Sequence, residues 1–456
     1  MPDTLRDLKD EADKRLAEGK TLEALKVYRL VLEGAPLDFE LRLEIGDLIA
    51  SLNTVNLALA VFKAVAEHDI KSGNPLRAIS ALKRSTALGG DMNETVSELT
   101  DKYAAHSSAI GRGIKAAPAN YSAKLRKGID IDYDIDKKKL ILETAQMAAY
   151  TENIEKYPAV VPPVPIFSTL EQDAFEELLK RLDLKRFEQG ETIIKQGETG
   201  HALYFVARGE VSVIKTVTDS DGDPKNIHLA RLGPGSLFGE MALVSADPRS
   251  ASVVCDTAVD ALELTRDRVE ELVGKMPQVG AAMGRFTRER MISNLLATHP
   301  LFKPFDEETG KQLLALFTGH EVPKGTTFLE QNTVGNGLYI ILQGRAEVLK
   351  WDSGQYIKVA DLGPGDVAGE ISLLYEEPVT ATVRTTSPAT LLFLARELFK
   401  PLVDSIPDLL VHFNKLAEER LADTASKVME QRVIEDDFIE ELDEDVDLCG
   451  DDAVFI

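Results

Sequence analysis

The chain has 456 residues, 44% hydrophobic and 28% charged; this globular composition excludes a fibrous or wholly disordered polymer, and ~100–200 residues per domain calls for about three domains. A formal net charge of −24 repels a polyphosphate backbone, which excludes nucleic acid as a partner. Two cysteines exclude a disulfide framework, and without an apolar leader or ~20 consecutive apolar residues the expectation is a cytoplasmic protein with no membrane span.

From Leu5 to Leu88 apolar residues recur at helical spacing, as in Ala24, Leu25, Tyr28, Val31 and Leu32. With Pro36 closing a helix pair, Ala12, Ala24 and Tyr28 take small and aromatic packing positions. One ~34-residue period later Gly46, Ala58 and Phe62 fall in register, and a shortened unit follows around Ala66, Ala78 and Leu82. This region (1–90) resembles tetratricopeptide repeats, although it lacks their frequent tryptophan. Such repeats imply a surface for a protein partner of unknown identity. Residues 91–164 read as a linker, interrupted by a helix near Lys137–Tyr150 and ending in Val160-Val161-Pro162-Pro163-Val164-Pro165, where the prolines forbid helix.

A duplication follows. Phe167 recurs as Phe302, Gly209 as Gly344 and Lys215 as Lys350 at one constant offset. After a shorter hairpin, Gly233-Pro234-Gly235 recurs as Gly363-Pro364-Gly365 and Gly239-Glu240 as Gly369-Glu370. Each copy (165–297 and 298–424) opens with a helical stretch and continues in short β-type runs such as Leu203–Val206 and Leu338–Ile341. Glycine turns punctuate these runs, and each copy closes in a helix, near Pro277–Ala297 and Pro407–Met429. The expected fold class is α+β: helical repeats, then two β-rolls of the jelly-roll type with flanking helices. The acidic segment 425–456 reads as a disordered tail.

The chemistry concentrates in the first copy, where Phe238-Gly239-Glu240-Met241-Ala242-Leu243 precedes Pro248-Arg249-Ser250-Ala251-Ser252-Val253. Gly239 permits close backbone approach, the stretch after it can present amides to phosphate oxygens, and Arg249 offers a bidentate guanidinium to an anion. Glu240 can accept a hydrogen bond from a sugar hydroxyl. Taken singly, Gly-Glu is uninformative and Pro-Arg is a turn with a solvated arginine. Together, after Gly197, Gly200 and Gly209-Glu210, they resemble the phosphate-binding cassette of cyclic-nucleotide-binding domains, the family of catabolite activator proteins and cyclic-AMP-dependent kinase regulatory subunits. The resemblance spans about Pro165 to Ala422. It implies that Glu240 holds the ribose 2′-hydroxyl, that Arg249 neutralises the cyclic phosphate, and that amides near Met241–Ala242 and Ser250–Ala251 complete the cradle. It also implies that the helix after the roll answers the ligand.

The second copy keeps Gly369 and Glu370 but has Val379 where the arginine belongs, with Glu376 and Glu377 nearby. A buried phosphate without its cation loses affinity by ~10²-fold or more, so this site is expected to be weak, empty or altered in ligand. The expected regulatory ligand is cyclic AMP ahead of cyclic GMP. Ser250 stands where cyclic-GMP binders often carry threonine, and serine also occurs there in cyclic-AMP binders.

Competing readings fare worse. A metal-dependent jelly-roll enzyme needs clustered ligands, and His201, His228, His299, His320 and His412 form no such pattern, so neither metal nor catalysis is expected. A DNA-binding regulator needs a basic recognition helix, and the rolls lead instead into an acidic tail. A non-enzymatic scaffold whose rolls serve as interaction modules is the remaining alternative. No Arg-Arg-x-Ser-like sequence precedes Pro165, and Lys83-Arg84-Ser85 reads as a solvated helix face. Helical repeats joined to two rolls without an effector enzyme look more bacterial than eukaryotic. The oligomeric state is not readable.

Overall fold

The structure, a computed structural model, describes residues 4–111, 131, 133, 136–151, 157–218, 223–240, 248–303 and 305–446. By internal contacts it falls into two compact units, Met1–Thr287 and Arg288–Ile456.

The first unit begins with α1 (Leu5–Ala17), α2 (Thr21–Gly34), α3 (Phe39–Ser51), α4 (Val55–Ser72) and α5 (Pro75–Ala87). Thr4 caps α1 through a reciprocal bond with Asp7, and Asp38 caps α3 by accepting from the amide of Leu41. Consecutive helices pack as hairpins, and the small residues sit where helices meet: a Cβ on Gly46 would lie 2.5 Å from the Phe62 ring. Ala12, Ala24, Tyr28, Ala58, Phe62, Ala66, Ala78 and Leu82 are all buried.

The segment read as a linker is partly built into this unit. It contributes α6 (Asn93–Tyr103) and α7 (Lys137–Ala149), and α7 packs on α2, α3 and α4. The buried Arg42 explains the docking, because its guanidinium donates to the carbonyls of Met147 (3.2 Å), Ala148 (2.5 Å) and Tyr150 (3.1 Å), groups that a helix end leaves without partners.

After α8 (Gln172–Arg181) comes the first roll: β1 (Asp183–Phe187), β2 (Thr192–Ile194), β3 (Ala202–Arg208), β4 (Val211–Thr218), β5 (Pro224–Leu232), β6 (Leu237–Phe238), β7 (Ser252–Cys255) and β8 (Val259–Thr265). It is followed by α9 (Arg266–Lys275) and α10 (Pro277–Thr298). Its two antiparallel sheets run β1-β8-β3-β6 and β2-β7-β4-β5. Strand β3 is apolar from Ala202 to Ala207 because both its faces are covered. Leu203, Phe205 and Ala207 join the core that begins at Leu5, whereas Tyr204 and Val206 face the roll interior with Ile194, Phe238 and Val253.

An ionic cluster joins the helices to the roll. Asp260 on β8 is fully buried and accepts from Arg84 on α5 (2.7 Å) and Arg208 on β3 (3.1 Å); Arg84 also bonds Asp47 (3.1 Å). Burial alone would raise the Asp260 carboxyl, but Arg208 and Arg84 outweigh it and hold it below the ordinary value. The reading of Lys83-Arg84-Ser85 as a solvated face is therefore corrected: Arg84 and Ser85 are buried, and what recruits the arginine is a carboxylate 176 positions away.

The second unit repeats the roll. After α11 (Glu307–Leu314) come β9 (Thr318–Val322), β10 (Thr327–Leu329), β11 (Gly337–Gln343), β12 (Ala346–Asp352), β13 (Gln355–Leu362), β14 (Val367–Ala368), α12 (Glu370–Leu374), β15 (Thr382–Thr385) and β16 (Ala389–Ala395). Then follow α13 (Arg396–Ser405) and α14 (Pro407–Val446). Its sheets, β9-β16-β11-β14 and β10-β15-β12-β13, reproduce the first roll's strand order. The shorter hairpin turns through Ser353 and Gly354, both at positive φ, a two-residue connection that suits twisted strands. Helix α14 continues to Val446, where the sequence reading placed a disordered tail. Its run of Leu, Ala, Glu, Lys and Arg favours helix, and Arg420 and Lys427 anchor it to the roll.

Candidate functional site

In the first roll, β6 delivers the chain to Gly239, whose φ of +81° lies in the left-handed region; a Cβ there would approach the Ala202 carbonyl to 3.0 Å. Glu240 follows, 8% exposed and without a hydrogen bond or ion pair among the described residues. Met241 and Ala242 lie outside the described residues. The chain is described again at Pro248, and Arg249 is fixed there by its backbone: its amide donates to Glu198 (2.9 Å) and its carbonyl accepts from Gly197 (2.9 Å).

The Arg249 side chain turns back towards the glycine. Nη1 donates to the Gly239 carbonyl (2.9 Å) and Nη2 to the Ala202 carbonyl (2.6 Å). A guanidinium has five N–H donors, so most of its capacity stays available for an anion. Gly200 makes the room, since a Cβ on it would fall 1.9 Å from Arg249 Nε. Burial pulls the Arg249 guanidinium below its ordinary value, while Tyr204 and Glu240 hold it up and Arg266 adds to the lowering. A half-buried cation and a buried carboxylate, neither in an ion pair among the described residues, make an arrangement that a ligand bearing both an anion and hydroxyl donors completes. Ser250 and Ala251 continue the same loop, Ser250 exposed and Ala251 half-buried.

The second roll keeps the backbone and changes the side chains. Asn332 and Thr333 bracket Val379 as Gly197 and Glu198 bracket Arg249, with bonds of 2.8 and 2.9 Å. Gly369 again has positive φ, and a Cβ on it would lie 2.4 Å from the Gly337 carbonyl. Yet Val379 is buried in the apolar interior with Leu329 and Ile341, and the Gly369 carbonyl accepts from the Ser372 hydroxyl at 3.0 Å. Glu370, 1% exposed, accepts from Nη1 of Arg420 at 2.6 Å; the same nitrogen donates to the Val367 carbonyl at 2.7 Å.

Arg420, Arg208 and Asp260 were missed by sequence reasoning, and Arg84 was misread as part of a solvated face. Only Gly200, flagged as part of the pattern around the cassette, carried a local signal of the Arg249 pocket. Among the described residues no group of three or more His, Cys, Asp or Glu side chains is placed to hold a metal ion, and no helix is long and apolar enough to cross a membrane.

Residues 184–275 and 320–405 match the family model of the cyclic nucleotide-binding domain. A cAMP-dependent protein kinase regulatory subunit of Yarrowia lipolytica is 30% identical over 53% of this chain and 60% of its own length. One of Schizosaccharomyces pombe is 26% identical over 70% of this chain and 80% of its own. The chain thus spans 60% of the length of the former. The solved regulatory domain of Toxoplasma gondii PKA with cAMP is 28% identical, covering 56% of this chain and 92% of that one, with a TM-score of 0.26. The two curated relatives are fungal, and they lend no support to the expectation of a bacterial source.

Proposed function

From the premise that both rolls are cyclic nucleotide-binding domains, we propose that this chain is a non-catalytic regulatory protein that binds cyclic AMP, in preference to cyclic GMP, at its first roll. Arg249 carries this reading: its guanidinium is placed by two backbone carbonyls and by the space at Gly200, and retains donors for a cyclic phosphate. In the proposed complex Arg249 meets the phosphate, Glu240 accepts from the ribose 2′-hydroxyl, Gly239 supplies the turn, and amides of Met241, Ala242, Ser250 and Ala251 complete the cradle. The names of the relatives support cyclic AMP as the ligand.

Binding is then passed to a protein partner, in the cytoplasm, through the helices ahead of the roll, which we read as tetratricopeptide-like. The Asp260 cluster supports this route because it ties β3, the strand whose Ala202 carbonyl holds Arg249, to α5. Coupling requires ligand to bind two arrangements with different affinity, since equal affinity shifts nothing. Unchanged hydrogen exchange outside residues 165–297 at saturating ligand sinks the coupling.

Calorimetric titration of the whole chain with cyclic AMP and cyclic GMP tests the binding. The expected result is one cyclic AMP per chain, weakened at least ~10²-fold in Arg249→Ala, the effect of removing one member of a buried charge-assisted contact. No binding of either nucleotide would turn the reading to the alternative, rolls that serve only as interaction modules.

A further inference from the structure

A second cavity, about 530 Å³ in volume, opens within the first unit between the helices and the edge of the roll, with α3 and α5 on one side and α8 and β1 on the other. In a chain of net charge −24 its wall is rich in cations: Lys83, Arg84, Lys180 and Arg186 face two acids, Asp47 and Asp183.

The acids are already engaged. Asp47 accepts from both Arg84 (3.1 Å) and Arg186 (2.6 Å), and Asp183 pairs with Arg268 (2.6 Å). Lys180 has Glu177 at 2.5 Å, a carboxylate it shares with Arg181 (2.7 Å). Lys83 has no ion pair among the described residues. Burial lowers its pKa, Asp183 opposes that from beyond contact range, and Arg268 reinforces it. The cavity therefore holds surplus positive charge, supplied from α5, α8 and β1 together. Ala50, Leu88 and Leu184 add apolar surface to the same lining.

We propose that this cavity binds a small phosphate monoester, its dianionic head held by Lys83 and Arg186 with Lys180 alongside, and its organic body laid against Ala50, Leu88 and Leu184. The volume suits a small molecule and is too small for a folded partner. A cationic wall rejects a metal ion, and three cations from separate elements match a head group with several charged oxygens better than a single carboxylate. Such a ligand touches both the helices and the roll, so its binding stabilises their junction. The inference stands independently of nucleotide binding at Arg249.

Phenyl phosphate, added to the whole chain and followed by phosphorus NMR linewidth and calorimetry, is the probe. Saturable binding is expected in the wild type and equally in Arg249→Ala. Lys83→Ala and, separately, the exposed Arg186→Ala should each weaken it at least ~10-fold, the value of one charge-assisted contact, while Lys83→Arg retains it. Binding should also weaken from pH 7 to pH 5 as the phosphate takes up its second proton, with a pKa near ~6, and benzoate should bind more weakly. The proposal is overturned if phenyl phosphate shows no saturation at millimolar concentration, if both cation variants bind like the wild type, or if Arg249→Ala alone abolishes binding.

Discussion

The first roll gives Glu240 no ion-pair partner among the described residues and aims Arg249 across Gly239, whereas the second gives Glu370 an arginine from its own closing helix and fills the place of Arg249 with buried Val379. Strand order, the left-handed glycine and the backbone bonds that bracket position 249 or 379 are the same in both. What a β-roll needs in order to fold and what a bound anion needs in order to be held are therefore separable demands on one loop. The second roll also differs from the first by more than a cation. Ser372 donates to the glycine carbonyl and Arg420 to the carboxylate, so side chains of the roll itself occupy both groups.

The sharpest break of this comparison is Val379→Arg in an Arg249→Ala background. If the missing cation were the whole difference, binding would return; with both groups occupied, nucleotide affinity should stay at least ~10²-fold below that of the wild-type first roll by calorimetry. Next in size is Arg420→Ala, which leaves the Glu370 carboxylate buried without its cation. A stability loss of about 3 kcal/mol is expected in the unfolding of the second unit. Adding Glu370→Gln should recover much of it, whereas Glu240→Gln should cost the first unit little, since Glu240 has no ion pair among the described residues.

Each unit also carries a buried histidine. His68 stacks on Phe39 and is pulled down to about 3, by burial first and then by Arg77, Arg42 and Lys71. His299 is pulled down to about 4, by burial and then His412, against the Gly365 backbone and Asp366. Both folded-state values lie below the unfolded value near ~6.5, so each histidine's contribution is present above that pH and lost as the pH falls towards the folded value. Per histidine the slope is at most about 1.4 kcal/mol per pH unit. Denaturant melts between pH 7 and pH 4 should show both units weakening, with the slope of the first reduced in His68→Phe.

The smallest effect sharpens the contrast. Gly200→Ala collides with the Arg249 guanidinium and should weaken nucleotide binding with little change in melting. The matching Gly335→Ala meets the Ser372 hydroxyl at 2.3 Å and should read out in stability alone, about 1 kcal/mol.

The duplication was legible from a constant offset between matching residues, and the two rolls and the Gly239-Glu240…Arg249 constellation because each depends on neighbours close in the chain: short β-type runs, glycine turns, and a carboxylate and a cation on one loop. Helical hairpins at 5–87 were legible for the same reason, from helical spacing and small packing residues. The helix near Lys137–Tyr150 was legible and is α7 (Lys137–Ala149), but α6 was not, nor the docking of α7, which depends on Arg42 bonding Ala148 from 106 positions away. The helical course of the acidic segment to Val446 was obscured by its charge, which resembles that of a disordered tail although its residues favour helix.

By itself the sequence determined the α+β class, the tandem repeat and the glycine–carboxylate–arginine loop proposed here to meet a cyclic phosphate, because local spacing dictates backbone path and loop chemistry. Only the tertiary structure decided which charges meet. Arg420 reaches Glu370 across 50 positions and Arg84 reaches Asp260 across 176, and no periodicity encodes such pairs. A buried carboxylate can take its cation from any element that folding brings within hydrogen-bond reach, so whether a glutamate is open to ligand or already occupied is settled by packing.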